Sequence, residues 1–146
     1  MSDSHIEVPD ADRCAFCDYL AGRRPFTVVR RDTETATLVT REQRGRGHVL
    51  VVPVQHRQTI LDVTPSEASA LIGQVIAAAR AIDEVFGRPG IAVWQNNGLA
   101  ANQTIPHVHF HVAGTLPGGD TERGEVEELS LEATDAIALL LRAHLS

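Results

Sequence analysis

Two cysteines, Cys14 and Cys17, are all that this chain of 146 residues has. So few exclude a disulfide scaffold and fit a reduced, cytoplasmic protein. No apolar run approaches membrane-spanning length, so no membrane partner is expected. The segment Met1 to Asp12 is polar and acidic. It lacks the apolar stretch after a basic start that marks a signal peptide. Basic residues are outnumbered 13 to 19, for a net charge of −6. That balance disfavours a nucleic-acid backbone or an anionic membrane surface as partner. A small nucleotide stays compatible, because a local ring of donors can hold phosphate against an unfavourable overall charge. The chain has no internal repeat and no second domain. Residues 1–13 read as a flexible leader and 14–146 as a single domain, long enough for a hydrophobic core.

The apolar residues that are present fall into strand and helix periods. Thr27 to Arg31 and Thr35 to Val39 are β-prone runs around Asp32-Thr33-Glu34, which predicts a hairpin. Asp18 to Gly22 suits a short helix ending at glycine. Arg41 to Gly47 is basic and glycine-broken and reads as a solvated loop. His48-Val49-Leu50-Val51-Val52-Pro53 has strand composition, with Pro53 ending the strand or lying on an edge. Thr64-Pro65-Ser66-Glu67 is a capping box with Pro at the first helical position. Ala68, Leu71, Ile72, Val75, Ile76, Ala79 and Ile82 then form a helical stripe, stopped by Gly87 and Pro89. Gly90 to Trp94 predicts another strand, with Trp94 in the core, and Asn96-Asn97-Gly98 a turn. A last helix from Ser130 is expected to turn Ala133, Ala136, Ile137, Leu140 and Leu141 inward. The sum is an α+β domain: an antiparallel sheet of about five strands, one long helix and a C-terminal helix on one face.

Within that frame the sequence His107-Val108-His109-Phe110-His111-Val112 stands out. Side chains alternate along a strand, so the three histidines share one face. On a helix they could not converge. Three imidazoles in alternation suit metal ligation, nucleophilic attack or anion binding. Cys14-Ala15-Phe16-Cys17 supplies half of a tetrahedral metal site. Histidines would complete it: His56, past the Pro53 strand, and one of the three in the row. Asn96, Asn97, Asn102, Gln103 and Thr104 concentrate neutral donors just ahead of the histidines. Such donors can hold phosphate while leaving an imidazole uncharged.

These residues resemble the histidine triad (HIT) family of nucleotide-binding hydrolases and transferases. The His-φ-His-φ-His-φ strand, preceded by Gln103-Thr104 and by Asn96-x-Gly98, is similar to the family's triad region. Gly47-His48 to Pro53 and His56 resembles its earlier strand, and Cys14-x-x-Cys17 the head of its zinc-containing bacterial members. The resemblance implies a nucleophile at His109, the middle histidine. It implies phosphate or leaving-group contacts from Asn96, Gln103, Thr104 and His111, supported by His48. It also implies a structural zinc ion on Cys14, Cys17, His56 and His107, and a homodimer. The activity so implied is hydrolysis at the α-phosphate of nucleoside phosphoramidates, nucleotidyl esters or dinucleoside polyphosphates, through a covalent nucleotidyl-histidine. The alternatives are a nucleotidyltransferase or phosphorylase, and a nucleotide-binding module with weak catalysis. Thr40 stands where the family has an acidic residue or Asn for the ribose, and Asn102 where glycine is common.

Overall fold

The computed structural model describes residues 4–10 and 14–145. Its strands are β1 (Val28–Arg31), β2 (Thr35–Val39), β3 (Arg46–Pro53), β4 (Ile91–Trp94) and β5 (Phe110–Gly114). They form one antiparallel sheet in the order β1-β2-β3-β5-β4. Three α-helices accompany it: α1 (Ala15–Leu20), α2 (Pro65–Phe86) and α3 (Leu131–Arg142). The expected hairpin is β1–β2, and Pro53 closes the central strand β3. The architecture is the α+β one read from the sequence.

The sheet has two different faces. On one, Val39, Val49, Val51 and Val112 pack against Leu71, Val75, Ala78 and Ile82 of α2 and against Ala138 and Leu141 of α3. On the other, Ala36, Leu38, Leu50 and Val52 pack against Phe16 of α1. Helices were expected on one face only; α1 is on the second. It also begins earlier than expected, because Cys14 is its N-cap and accepts the Cys17 N–H through its sulfur.

The long helix starts and stops as its sequence directs. Thr64 and Glu67 make the reciprocal capping box, and Gly87 closes the helix in the left-handed region at φ 56°. The buried row, however, is Leu71, Val75, Ala78 and Ile82. Ile72 and Ile76 are 47% and 45% exposed and Ala68 lies outside the core. Two neighbouring rows at helical spacing are apolar, and the sheet takes only one of them. In α3 the inward residues are Thr134, Ala138 and Leu141. Ile137 is half-buried, whereas Leu140 and Ala136 point away from the sheet.

The histidine strand also starts later than expected. Pairing begins at Phe110, opposite Val51 of β3, and on the other side at His111, opposite Trp94. Before that point the chain leaves both neighbours: the Val108 N–H is taken by the Arg57 carbonyl at 2.7 Å. One cross-sheet row on the α1 side then runs Leu38, Leu50, His111, Trp94, each opposite the next. That register brings His111 and Trp94 together on the face that carries the polar groups.

Candidate functional site

The hydrogen bonds around each histidine decide which of its nitrogens carries a proton. A carbonyl can only accept, so whatever nitrogen faces it is N–H. The His107 Nε2 faces the Pro53 carbonyl at 2.9 Å. Its Nδ1 lone pair therefore points the other way, to Cys14 Sγ at 3.2 Å, His56 Nδ1 at 3.3 Å and Cys17 Sγ at 3.6 Å. His109 is turned around. Its Nδ1 faces the His107 carbonyl at 2.7 Å and so carries the proton. Its Nε2 then holds the free lone pair and has no hydrogen-bond partner among the described residues. Burial holds its pKa below the ordinary imidazole value, so the ring is neutral near pH 7.

His111 is set by a relay. The Arg44 backbone N–H donates to His48 Nδ1 at 3.1 Å. The His48 proton therefore sits on Nε2, which meets His111 Nδ1 at 3.0 Å. With its Nδ1 accepting, neutral His111 carries its proton on Nε2. Burial, with the neighbouring Arg44 charge, lowers His48 to about 3. Burial, with the charges of His109, His48 and Arg44, lowers His111 to about 2. Both remain uncharged donors rather than acids at pH 7. Ring contacts fix the planes. Phe16 meets His107 and His109 edge-on at 5.6 and 5.0 Å, and Trp94 lies flat on His111 at 4.6 Å and 5°. Trp94 is thus half-buried on an imidazole and not in the core, a correction to the sequence reading.

Cys14, Cys17, His56 and His107 offer four ligand atoms that all lie within 4.8 Å of one another. A tetrahedron of zinc–sulfur and zinc–nitrogen bonds has edges of ~3.3–3.8 Å, against 3.2 to 3.6 Å for the four pairs Cys14–His107, Cys17–His56, Cys17–His107 and His56–His107. The donor set, two sulfurs and two imidazole nitrogens, therefore fits zinc. Burial, aided by Cys14, pushes the free Cys17 thiol up to about 11, so a cation is what would hold it as thiolate. The His107 Nε2–H to Pro53 bond is the outer-shell support that metal-ligating histidines use. A cleft of roughly 830 Å³ opens beside this cluster, lined by Val8, Asp10, Arg23 and Gln58.

The donor loop divides in two. Gln103 is buried and uses its whole amide internally: Oε1 accepts the Gly98 N–H, and Nε2 donates to the Gln58 and Ile105 carbonyls. Asn97 Oδ1 accepts the Ile60 N–H, and its Nδ2 donates to Gln95. The side chains of Asn96, Asn102 and Thr104 make no hydrogen bond to the described residues, and Thr104 is exposed. Asn102 adopts the left-handed conformation, φ 67°, that glycine supplies at no cost. Thr40 accepts the Glu42 N–H with its hydroxyl. Two features had no reading in the sequence. Glu7 accepts the Leu99 N–H, and Ile6 sits so close to Gly98 (φ 92°) that a Cβ there would lie 2.4 Å from its methyl group. Arg44 also does more than solvate a loop: its guanidinium donates to the Glu122 and Gly124 carbonyls.

The HIT domain family model matches residues 21–117. That span takes in His48, His56 and the whole histidine row. It begins after Cys14 and Cys17, whose role rests on the geometry above. The protein named "Protein hit" from Bacillus subtilis is 32% identical over 110 residues, 75% of this chain and 76% of its own length. An adenosine 5'-monophosphoramidase from Schizosaccharomyces pombe is 27% identical over 111 residues, 76% of this chain and 78% of its own. A zinc-bound histidine triad family protein from Mycobacterium smegmatis superposes with a TM-score of 0.72 at 26% identity, over 90% of this chain and 91% of that one.

Proposed function

The chain belongs to the HIT domain family, and on that premise we propose that it is a nucleotide hydrolase acting at the α-phosphate through a covalent nucleotidyl-histidine on His109. One observation carries the reading: His109 donates its Nδ1–H to the His107 carbonyl, and its neutral ring leaves Nε2 without a hydrogen-bond partner among the described residues. In the first step that lone pair bonds to the α-phosphorus while the bond to the leaving group breaks, the leaving group keeping the electron pair and taking a proton from solvent. The ring, now bonded to phosphorus at Nε2 and still N–H at Nδ1, is cationic, and the His107 carbonyl stabilises it. Water then attacks phosphorus and gives up a proton to solvent, the P–Nε2 bond breaks with its electron pair returning to Nε2, and the neutral imidazole is restored. Splitting one displacement into two is the gain of covalent catalysis.

Other residues position the reaction. The neutral His111 Nε2–H donates to the phosphoryl oxygens, where charge develops. His48 keeps His111 in that tautomer. Asn96 and Thr104 contribute donors to the phosphate, and Gln103 serves them by bracing the loop. Cys14, Cys17, His56 and His107 hold a zinc ion that pins α1 to the histidine row. When bound, zinc supplies folding free energy, and it takes no part in the displacement. A homodimer is part of the proposal, supported by the apolar Ile72 and Ile76 left open on α2. The cytoplasm is the proposed compartment; among the described residues no helix is long and apolar enough to cross a membrane.

Phosphoramidates and dinucleoside polyphosphates are the two candidate substrate classes, because one relative bears a phosphoramidase name and another a bis(5'-nucleosyl)-tetraphosphatase name. The test is turnover of adenosine 5'-phosphoramidate and of a dinucleoside polyphosphate, each with and without added inorganic phosphate. Release of AMP that His109→Ala abolishes supports the hydrolase. A nucleoside diphosphate appearing with phosphate would make it a transferase. Nucleotide binding with no turnover would reduce it to a binding module.

A further inference from the structure

Trp94 is the one tryptophan of the chain, and its position is not explained by packing. It belongs to neither hydrophobic cluster. It lies on the polar face of the sheet, flat on His111, with His48 tilted against it at 5.1 Å. The rings follow one another along this face: Phe16, His109, His111, Trp94, with His109 and His111 5.0 Å apart. Trp94 is therefore the ring next beyond the group that donates to phosphate. It also lines a cleft of roughly 710 Å³, together with Arg44, Val93, Thr121 and Arg123. That volume is in the range of small-molecule pockets.

The far wall of the cleft is tied to the reaction centre by one residue. The Arg44 carbonyl accepts the Glu122 N–H at 2.6 Å, and its guanidinium holds the Glu122 and Gly124 carbonyls. The Arg44 N–H is the donor that fixes the His48 tautomer. The loop at 120–124 and the His48–His111 relay are thus both held by one residue, Arg44: the loop by its guanidinium and carbonyl, the relay by its backbone N–H.

We propose that Trp94 is the platform of a leaving-group subsite and makes this protein select leaving groups that carry a planar aromatic ring, such as a second nucleoside. The proposal rests on the reading of His109 as nucleophile. A flat ring stacks on indole whatever its substituents, because every such ring has a π face. A small amine gains nothing from the same wall. The two kinds of leaving group share the adenylyl half of the substrate, so any difference between them belongs to the cleft.

The test compares wild type, Trp94→Leu and Trp94→Phe on adenosine 5'-phosphoramidate and on diadenosine tetraphosphate. Trp94→Leu is expected to lower kcat/KM on the dinucleotide by about 10- to 100-fold more than on the phosphoramidate, whose own loss reports the contact with His111 that both substrates share, with Trp94→Phe restoring most of the difference. Equal losses on both substrates would mean that Trp94 only holds His111, and would overturn the subsite. A second readout does not depend on turnover. With one tryptophan, intrinsic fluorescence reports on this ring alone. Diadenosine tetraphosphate is expected to quench it well beyond AMP. Quenching in a wild type that hydrolyses neither substrate would keep the subsite and remove the hydrolase reading. Absence of both selectivity and extra quenching would remove the subsite.

Discussion

His107 and His111 lie four residues apart on one face and use opposite nitrogens. His107 donates its Nε2–H to the Pro53 carbonyl and turns its Nδ1 lone pair to two sulfurs. His111 has its Nδ1 lone pair filled by His48 and turns an N–H outward. The difference is made by which neighbour claims the ring, the Pro53 carbonyl for His107 and the His48 side chain for His111. His109, between them, is claimed at Nδ1 by a carbonyl of its own strand. On the proposed function, identical side chains thus serve as a ligand, a nucleophile and a donor. On the same proposal, one end of the row serves the fold and the other the reaction, and substitutions should separate the two.

The largest separation is expected from His109→Ala. Turnover should fall by about 10⁴-fold or more, while zinc content by metal analysis and the Tm stay at wild-type values. Cys17→Ser breaks the other end. It should lose zinc and about 4 kcal/mol or more of stability in urea unfolding; unchanged zinc would refute the ligand set. His48→Phe keeps the shape and removes the donor to His111. A fall in kcat of about 10–100-fold with zinc retained would place the relay with the reaction, and loss of zinc would undo the division.

Acid should act on the relay as well. Burial holds His48 near 3 and His111 near 2 when folded, whereas an unfolded imidazole titrates near ~6.5. As pH falls through ~6.5 the unfolded chain takes up protons that the folded chain refuses. Stability is therefore full above ~6.5 and declines below it toward about 3, by at most ~1.4 kcal/mol per pH unit for each histidine. Urea unfolding from pH 7 to 5 checks the slope; a flat profile would mean that the rings are not buried neutral. The smallest effect is at Asn102. Its backbone is already left-handed, so Asn102→Gly should change stability by less than about 0.5 kcal/mol. A drop in kcat/KM there would identify its amide as a phosphate donor.

Much of this is legible in the sequence, because it is written in short-range patterns. The caps at Thr64 and Gly87 need only neighbouring residues. The shared face of the histidines follows from alternation alone. The misreadings needed partners from elsewhere in the chain. Ile72 and Ile76 fit the helical period as well as Leu71 and Val75 do, and only the sheet decides which row is covered. Hydrophobicity alone places Trp94 in the core, yet its register opposite His111 puts it on the polar face. Gln103 was one of several donors in the sequence, and only the fold shows it bracing Gly98. The contact of Ile6 with Gly98 joins residues more than 90 positions apart, which no local pattern announces.

The most direct test of the assignment at the centre of the row is mass spectrometry of acid-unstable adducts. Wild-type protein is mixed with adenosine 5'-phosphoramidate, quenched in base within the first turnovers, digested and mapped. The expected result is an adenylyl group on the peptide that contains His107, His109 and His111, fragmenting to His109 and absent from His109→Ala. Turnover with no adduct in wild type, or with the adduct on His107 or His111, would contradict the account.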